Sequence, residues 1–159
     1  RLMSFTEIKG KAVMLDQPAM LLFNAFSDLR NFAMAIPPDK KEGLTITADS
    51  IEGTVNGMNV GVKIANKVPF SSISFEPYGQ LPFECAFTIY LKDIAPQKTE
   101  FQIVLNAELN YMVKLMIGGK LQGVVDTITD QIAAAFSGKA PSREEIERMM
   151  KERGGSMFS

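Results

Sequence analysis

Residues 101–136 read FQIVLNAELNYMVKLMIGGKLQGVVDTITDQIAAAF, and the period of the apolar residues changes once within them, at Asn110. Before it, Phe101, Ile103, Leu105, Ala107 and Leu109 alternate with Gln102, Asn106 and Glu108, the two-residue repeat of a strand with one apolar face. After it, Val113, Met116, Ile117, Leu121, Val124, Val125, Ile128, Ile132 and Phe136 recur every three or four positions, as in an amphipathic helix. Asn110 suits the N-cap of that helix. At 1.5 Å per residue the helix is about 40 Å long, and an eleven-residue strand at about 3.3 Å per residue spans about 36 Å. One long helix therefore matches the sheet it must cover. Gly118-Gly119 interrupts the pattern; two adjacent glycines cost about 2 kcal/mol relative to alanine, which predicts a kink or break there.

Upstream, the strand period dominates. Leu44, Ile46 and Ala48 alternate with Thr45 and Thr47, and Ile51, Gly53 and Val55 with Glu52 and Thr54. Asn56-Gly57 follows as a hairpin signal, since both residues tolerate positive φ. Met58, Val60, Val62 and Ile64 then share a face, Pro69–Ser72 reads as a loop, and Ile73 and Phe75 alternate with Ser74 and Glu76. Pro82 opens the longest alternation, Phe83, Cys85, Phe87, Ile89 and Leu91, with a turn at Ile94–Lys98. Nearer the start, Ser4–Leu15 reads as a half-buried strand in which Gly10 marks a bend or a close contact. Asp16 is expected to cap a first helix, with Pro18 in its first turn and Leu21, Leu22, Ala25, Phe26 and Leu29 at helical spacing. Asp28 is expected to cap a second, carrying Phe32, Ala33 and Ile36, and Pro37-Pro38 to stop it.

These readings combine into an α+β architecture in which a sheet grips a helix. It has a curved antiparallel sheet of seven strands, two short helices after the first strand, and one long C-terminal helix over the concave face. The first strand is left free to pair with the last. Residues 4–136 make this domain; 137–159 form a charged tail in which Ser142 and Glu145 make a capping box and Arg143–Arg153 a short helix. Ile146, Met149 and Met150 are too few to hold that helix alone, so it frays or docks on something.

Composition excludes much chemistry. The chain of 159 residues has no histidine, which removes Ser-His-Asp and Cys-His catalysis, His-bearing zinc sites and haem held by a proximal His. The single cysteine, Cys85, forms no intrachain disulfide and lies on an apolar stripe with nothing to activate it. Seventeen basic against 18 acidic residues give net charge −1, so no global field draws the chain to nucleic acid or anionic membrane. The longest uncharged run, Gln17–Ser27, is far short of a membrane span. No secretory signal is read, and the expected compartment is the cytoplasm. Glu52, Glu76, Glu84, Glu100 and Glu108 fall on the polar faces of their strands, where a solvated carboxylate is the default. Asp126 and Asp130 share a helix face without needing an ion, so neither a metal nor a cofactor is implied.

The element order resembles the helix-grip fold of the START-like family, also called SRPBCC, which includes the birch pollen allergen and polyketide cyclase-like proteins. The resemblance rests on Asp16-Gln17-Pro18-Ala19 after the first strand and on Phe26-Ser27-Asp28-Leu29 at the helix junction. It rests also on Gly57-Met58-Asn59-Val60-Gly61-Val62-Lys63-Ile64, on Pro82-Phe83 and on Leu121-Gln122 with Val125-Asp126. These motifs look like those of a bacterial branch of small START-like proteins. The resemblance implies a cavity between sheet and helix holding a lipid, polyketide, isoprenoid-like or other apolar molecule.

The residues expected to line such a cavity are Met58, Val60, Val62, Phe75, Phe83, Cys85, Phe87, Ile89, Phe101, Ile103 and Leu105 from the sheet. From the helix they are Met112, Met116, Leu121, Val124 and Ile128; none of the sixteen is charged. The bland alternative is that these stripes are core and nothing more. The leading expectation is a non-catalytic binding protein whose partner is a hydrophobic small molecule. The alternatives are a cyclase or hydratase using bound water with Tyr78, Tyr90 or Tyr111, and an interaction module, including a homodimer, built on the sheet surface or the tail.

Overall fold

A computed structural model describes residues 4–33, 38–55, 57–81 and 83–136. Expectations resting on Ile36, Pro37, Asn56, Pro82 and residues 137–159 lie outside the described residues. The elements run β1 (Ser4–Lys9), β2 (Val13–Leu15), α1 (Ala19–Phe26), α2 (Leu29–Ala33), α3 (Pro38–Lys41), β3 (Thr45–Ile46) and β4 (Ser50–Val55). They continue with β5 (Met58–Val68), β6 (Ser72–Gly79), β7 (Cys85–Ala95), β8 (Lys98–Leu109) and α4 (Tyr111–Ala135). One antiparallel sheet has the order β1-β8-β7-β6-β5-β4-β3, and β2 also pairs with β8. The first and last strands meet as expected, with Ile8 opposite Leu105 and Val13 opposite Phe101.

The sheet has eight strands rather than seven because Gly10 divides the first in two. Its N–H still donates to the Ile103 carbonyl at 2.8 Å, so the chain stays beside β8 while its direction is reset. A Cβ at Gly10 would lie 2.8 Å from Val125 Cγ1, so the glycine is where α4 comes down onto the sheet.

At α4 the N-cap is Asn110, whose side-chain oxygen accepts from the Val113 N–H at 2.8 Å. The helix then runs unbroken through Gly118-Gly119 to Ala135. The expected break is absent: packing of Leu121, Val125, Ile128 and Ile132 on the core holds the helix downstream and outweighs the local propensity.

Asp16 does not cap α1. Pro18 occupies the N-cap with no side-chain bond, and the Ala19 N–H donates to Asp93 Oδ1, 3.1 Å away on β7. The Asp16 N–H instead donates to the Phe136 carbonyl, fastening the far end of α4, and its carboxylate lies 3.5 Å from Lys98 Nζ. Pro38 begins α3, at the helix position where proline loses no hydrogen bond. α1 rests on β6 and β7, and α4 on β8, β1 and β2. Between them Phe26 packs against Phe101 and meets Phe136 edge-on, both at 5.6 Å between ring centroids.

Candidate functional site

Register fixes which side chains share the concave face. Cys85, Phe87, Ile89 and Leu91 of β7 pair with Ala107, Leu105, Ile103 and Phe101 of β8. On the other side, Phe87 pairs with Phe75, Phe75 with Ile64, and Val62 with Pro77 and Ile51. Side chains alternate across a strand, so these residues form one inner surface and their polar neighbours the outer one.

The inner surface has a closed half and an open half. In the closed half, Phe75, Ile89, Phe101, Ile103 and Leu105 are buried beneath α1 and the C-terminal part of α4. Val62, Cys85, Phe87, Leu121 and Ile128 are partly buried at its margin. Val60 and Phe83 are half-buried, and Met58 and Val124 are exposed. Phe75 and Phe87 stack at 4.8 Å and 15°, carrying the buried core into the open half.

Gln122 Nε2 donates to the Lys9 carbonyl at 3.0 Å, and Lys11 Nζ lies 2.7 Å from Asp130 Oδ1, so one flank of α4 is tied to the β1 side. The opposite flank carries Ile117, Leu121, Val124 and Ile128, of which Leu121 and Ile128 pack against the core. Strand β5, with Val60 and Val62, lies beyond the helix. The apolar inner face on the far side of α4, from β7 to β5, is the candidate groove. Met112 and Met116 do not join it: at 100° per residue Met116 is about 180° around the helix from Val125, and the two are 65% and 71% exposed.

The groove carries little chemistry beyond apolar contact. Cys85 is its one nucleophile, and burial pushes that thiol above its ordinary pKa, which keeps it protonated and slow. Tyr78 and Tyr90 have outer-face register, opposite Gly61 and Gln102, and Tyr111 is exposed at the start of α4. None of the tyrosines lines the groove. Glu108 departs from its expected solvation: it is buried at 6% exposure on the outer face of β8.

A second feature was not anticipated. Near the β4–β5–β6 end of the sheet lies a cleft of about 290 Å³ lined by the outer-face residues Thr45, Glu52, Thr54, Asn59 and Tyr78 with Gly43, Gly53, Gly79 and Val60. The Tyr78 ring lies over Gly61, where a Cβ would come 2.4 Å from Cζ, and its hydroxyl donates to Glu52 Oε2 at 2.7 Å. That hydrogen bond to Glu52, more than burial, raises the phenol pKa and keeps it a donor. The signal was present in the alternation, which puts Glu52, Gly61 and Tyr78 on polar faces, but the strand register joining them was not. Among the described residues, no group of three His, Cys, Asp or Glu side chains is placed to hold a metal ion. No described helix is long and apolar enough to cross a membrane.

No family model and no curated protein matches the sequence. Solved structures do match in shape. The Aha1 dimer from Colwellia psychrerythraea aligns with a TM-score of 0.58 at 11% identity, over 82% of this chain and 96% of that one. A protein from Nitrosospira multiformis gives 0.57 at 12% identity over 82% and 96%. Norcoclaurine synthase from Thalictrum flavum gives 0.56 at 12% identity over 74% and 77%. At such identity the likeness is one of fold, and function does not follow from it. With its sheet order, its three short helices where two were expected, after the early strands, and its long C-terminal helix, the chain has the helix-grip fold of the START-like, or SRPBCC, proteins.

Proposed function

We propose that the chain binds an apolar or amphipathic small molecule in the groove between the sheet and α4, without catalysing its conversion. One observation carries this reading: among the described residues the inner face stays apolar through Val60, Val62, Cys85 and Phe87, and these are only partly buried. Burying about 300 Å² of ligand apolar surface contributes about 7–8 kcal/mol at about 25 cal/mol/Å². Several kcal/mol of lost translational freedom must be subtracted, which leaves affinities weaker than micromolar unless polar groups contribute. In this reading residues 4–136 form the binding domain, 137–159 are an appendage it does not require, and the compartment is cytoplasmic. Against the enzyme alternative, the strand positions along this groove carry no carboxylate. The test is a Nile red titration of the purified chain, paired with native mass spectrometry. Saturable dye emission and displacement by an added apolar compound are expected; no saturable site in either measurement would overturn the reading.

An interaction reading has one observation in its favour. Tyr111, Met112, Leu115 and Met116 form an exposed apolar cluster on the first part of α4, and the Colwellia Aha1 named above is described as a dimer. Light scattering across a concentration series tests it; a monomer throughout counts against a homodimer.

A further inference from the structure

We propose that the ligand of the groove carries an anionic head group, held by the Lys114 ammonium over the open end. The inference rests on the binding reading above and adds the ligand's chemical class. Positions 114, 118, 121, 125 and 132 follow one another at helical spacing, so Lys114 heads the stripe that faces the sheet through Leu121, Val125 and Ile132. A Cβ on Gly118 would meet Lys114 Cγ at 3.9 Å, which places the lysine stem along this same flank. Below Lys114 the same line of the helix carries Gly118, where a Cβ would meet nothing within 4 Å but the lysine stem, and then the half-buried Leu121.

Position along the sheet follows from rise. Gly10 fixes Val125 above Ile103. Eleven helical residues back at 1.5 Å cover about 16 Å, the length of about five strand residues at 3.3 Å. Lys114 therefore stands near the level of Ala107 and Leu109, whose strand neighbours at that end include Cys85, Pro77 and Val62. The inner strand positions at this end carry no charge. Lys67 and Asp93 have inner register only at the opposite end, beside Ile73 and Thr99, where Asp93 caps α1. The first turn of α4 has no acidic residue either. An exposed ammonium on the rim of an uncharged apolar trough fits an amphipath whose tail lies along Val60, Val62 and Phe87 and whose charge stays at the solvent edge.

Isothermal titration of the full chain with dodecanoate, dodecyl phosphate and dodecanol tests this. At least one anion is expected to bind about ten-fold more tightly than the alcohol, and which anion does so separates a carboxylate from a phosphate head. In Lys114→Gln that advantage disappears while dodecanol affinity holds. Lys120→Gln, about 120° away around the helix, keeps the advantage. Raising salt to 1 M shrinks it. If all three ligands bind alike, or if Lys114→Gln keeps the preference, the inference is overturned and apolar binding stands. If none of them binds, both readings fall.

Discussion

Gly10 and Val125 stand so close that a single added methyl group would meet Val125 Cγ1 at 2.8 Å. Thr129 Oγ1 would be 3.0 Å from the same methyl, and its hydroxyl is already tied to the Val125 carbonyl at 2.8 Å. Both side chains are buried, and the β-branched Val125 has little rotamer freedom to yield. Gly10→Ala is therefore expected to destabilise the fold by about 1–3 kcal/mol through overpacking. Urea unfolding should show a lower midpoint with an unchanged slope. Combining it with Val125→Ala should cost less than the sum of the two single changes, because the cavity accepts the methyl. Strict additivity would mean that the contact does not govern the glycine.

The start of α1 depends on a residue 74 positions away. Asp93 Oδ1 accepts from the Ala19 N–H, a role no residue near Pro18 fills with its side chain. Asp93→Ala is expected to cost about 1 kcal/mol, the usual loss for an N-cap. Asp93→Asn retains an acceptor oxygen and should recover most of that. Thermal unfolding of the two variants beside the parent decides it. Equal loss in both would assign the effect to charge rather than to capping.

Tyr78 makes a prediction about pH. Its hydroxyl bond to Glu52 raises the phenol pKa in the folded chain above its ordinary 10.0. The folded state thus favours the protonated phenol. The stabilisation is fully present below the unfolded pKa and is lost as pH rises through the folded one. In Glu52→Gln, difference absorbance of the phenolate should show Tyr78 ionising at lower pH than in the parent, with Tyr78→Phe identifying its signal. An unmoved transition would remove Glu52 as the cause.

Much of this fold is legible in local pattern. The two-residue period gave β4 to β8, the change at Asn110 gave α4 with its cap, and Gly10 announced the close contact it makes. What escaped depends on partners distant in sequence. Asp16 looks like a cap because nothing nearby shows that Asp93 reaches Ala19. The glycine pair reads as a break because the core that holds α4 downstream comes from other elements. For the candidate site, alternation separates the two faces of the sheet, but it assigns no depth. Phe101 is fully buried and Met58 exposed on the same register. Met112 and Met116 carry apolar character without facing the sheet, because that direction is set by where Val125 and Ile132 bury.

Cys85 offers a probe of the groove that leaves the fold intact. The thiol is half-buried at the margin of the core, opposite Ala107, and burial raises its pKa. The thiolate is the reactive form, so at neutral pH iodoacetamide should modify Cys85 more slowly than a cysteine in an unstructured peptide. A ligand lying along Phe87 and Val62 covers the same surface. Saturating dodecanoate should slow the labelling further, and Lys114→Gln should weaken that protection at a fixed, sub-saturating ligand concentration. The same variant should leave the rate without ligand unchanged, because Lys114 reaches the groove's edge and not the thiol. Mass spectrometry of the intact chain over time reads all of these rates. Labelling that ignores ligand at saturation would place the binding site away from the sheet–helix groove.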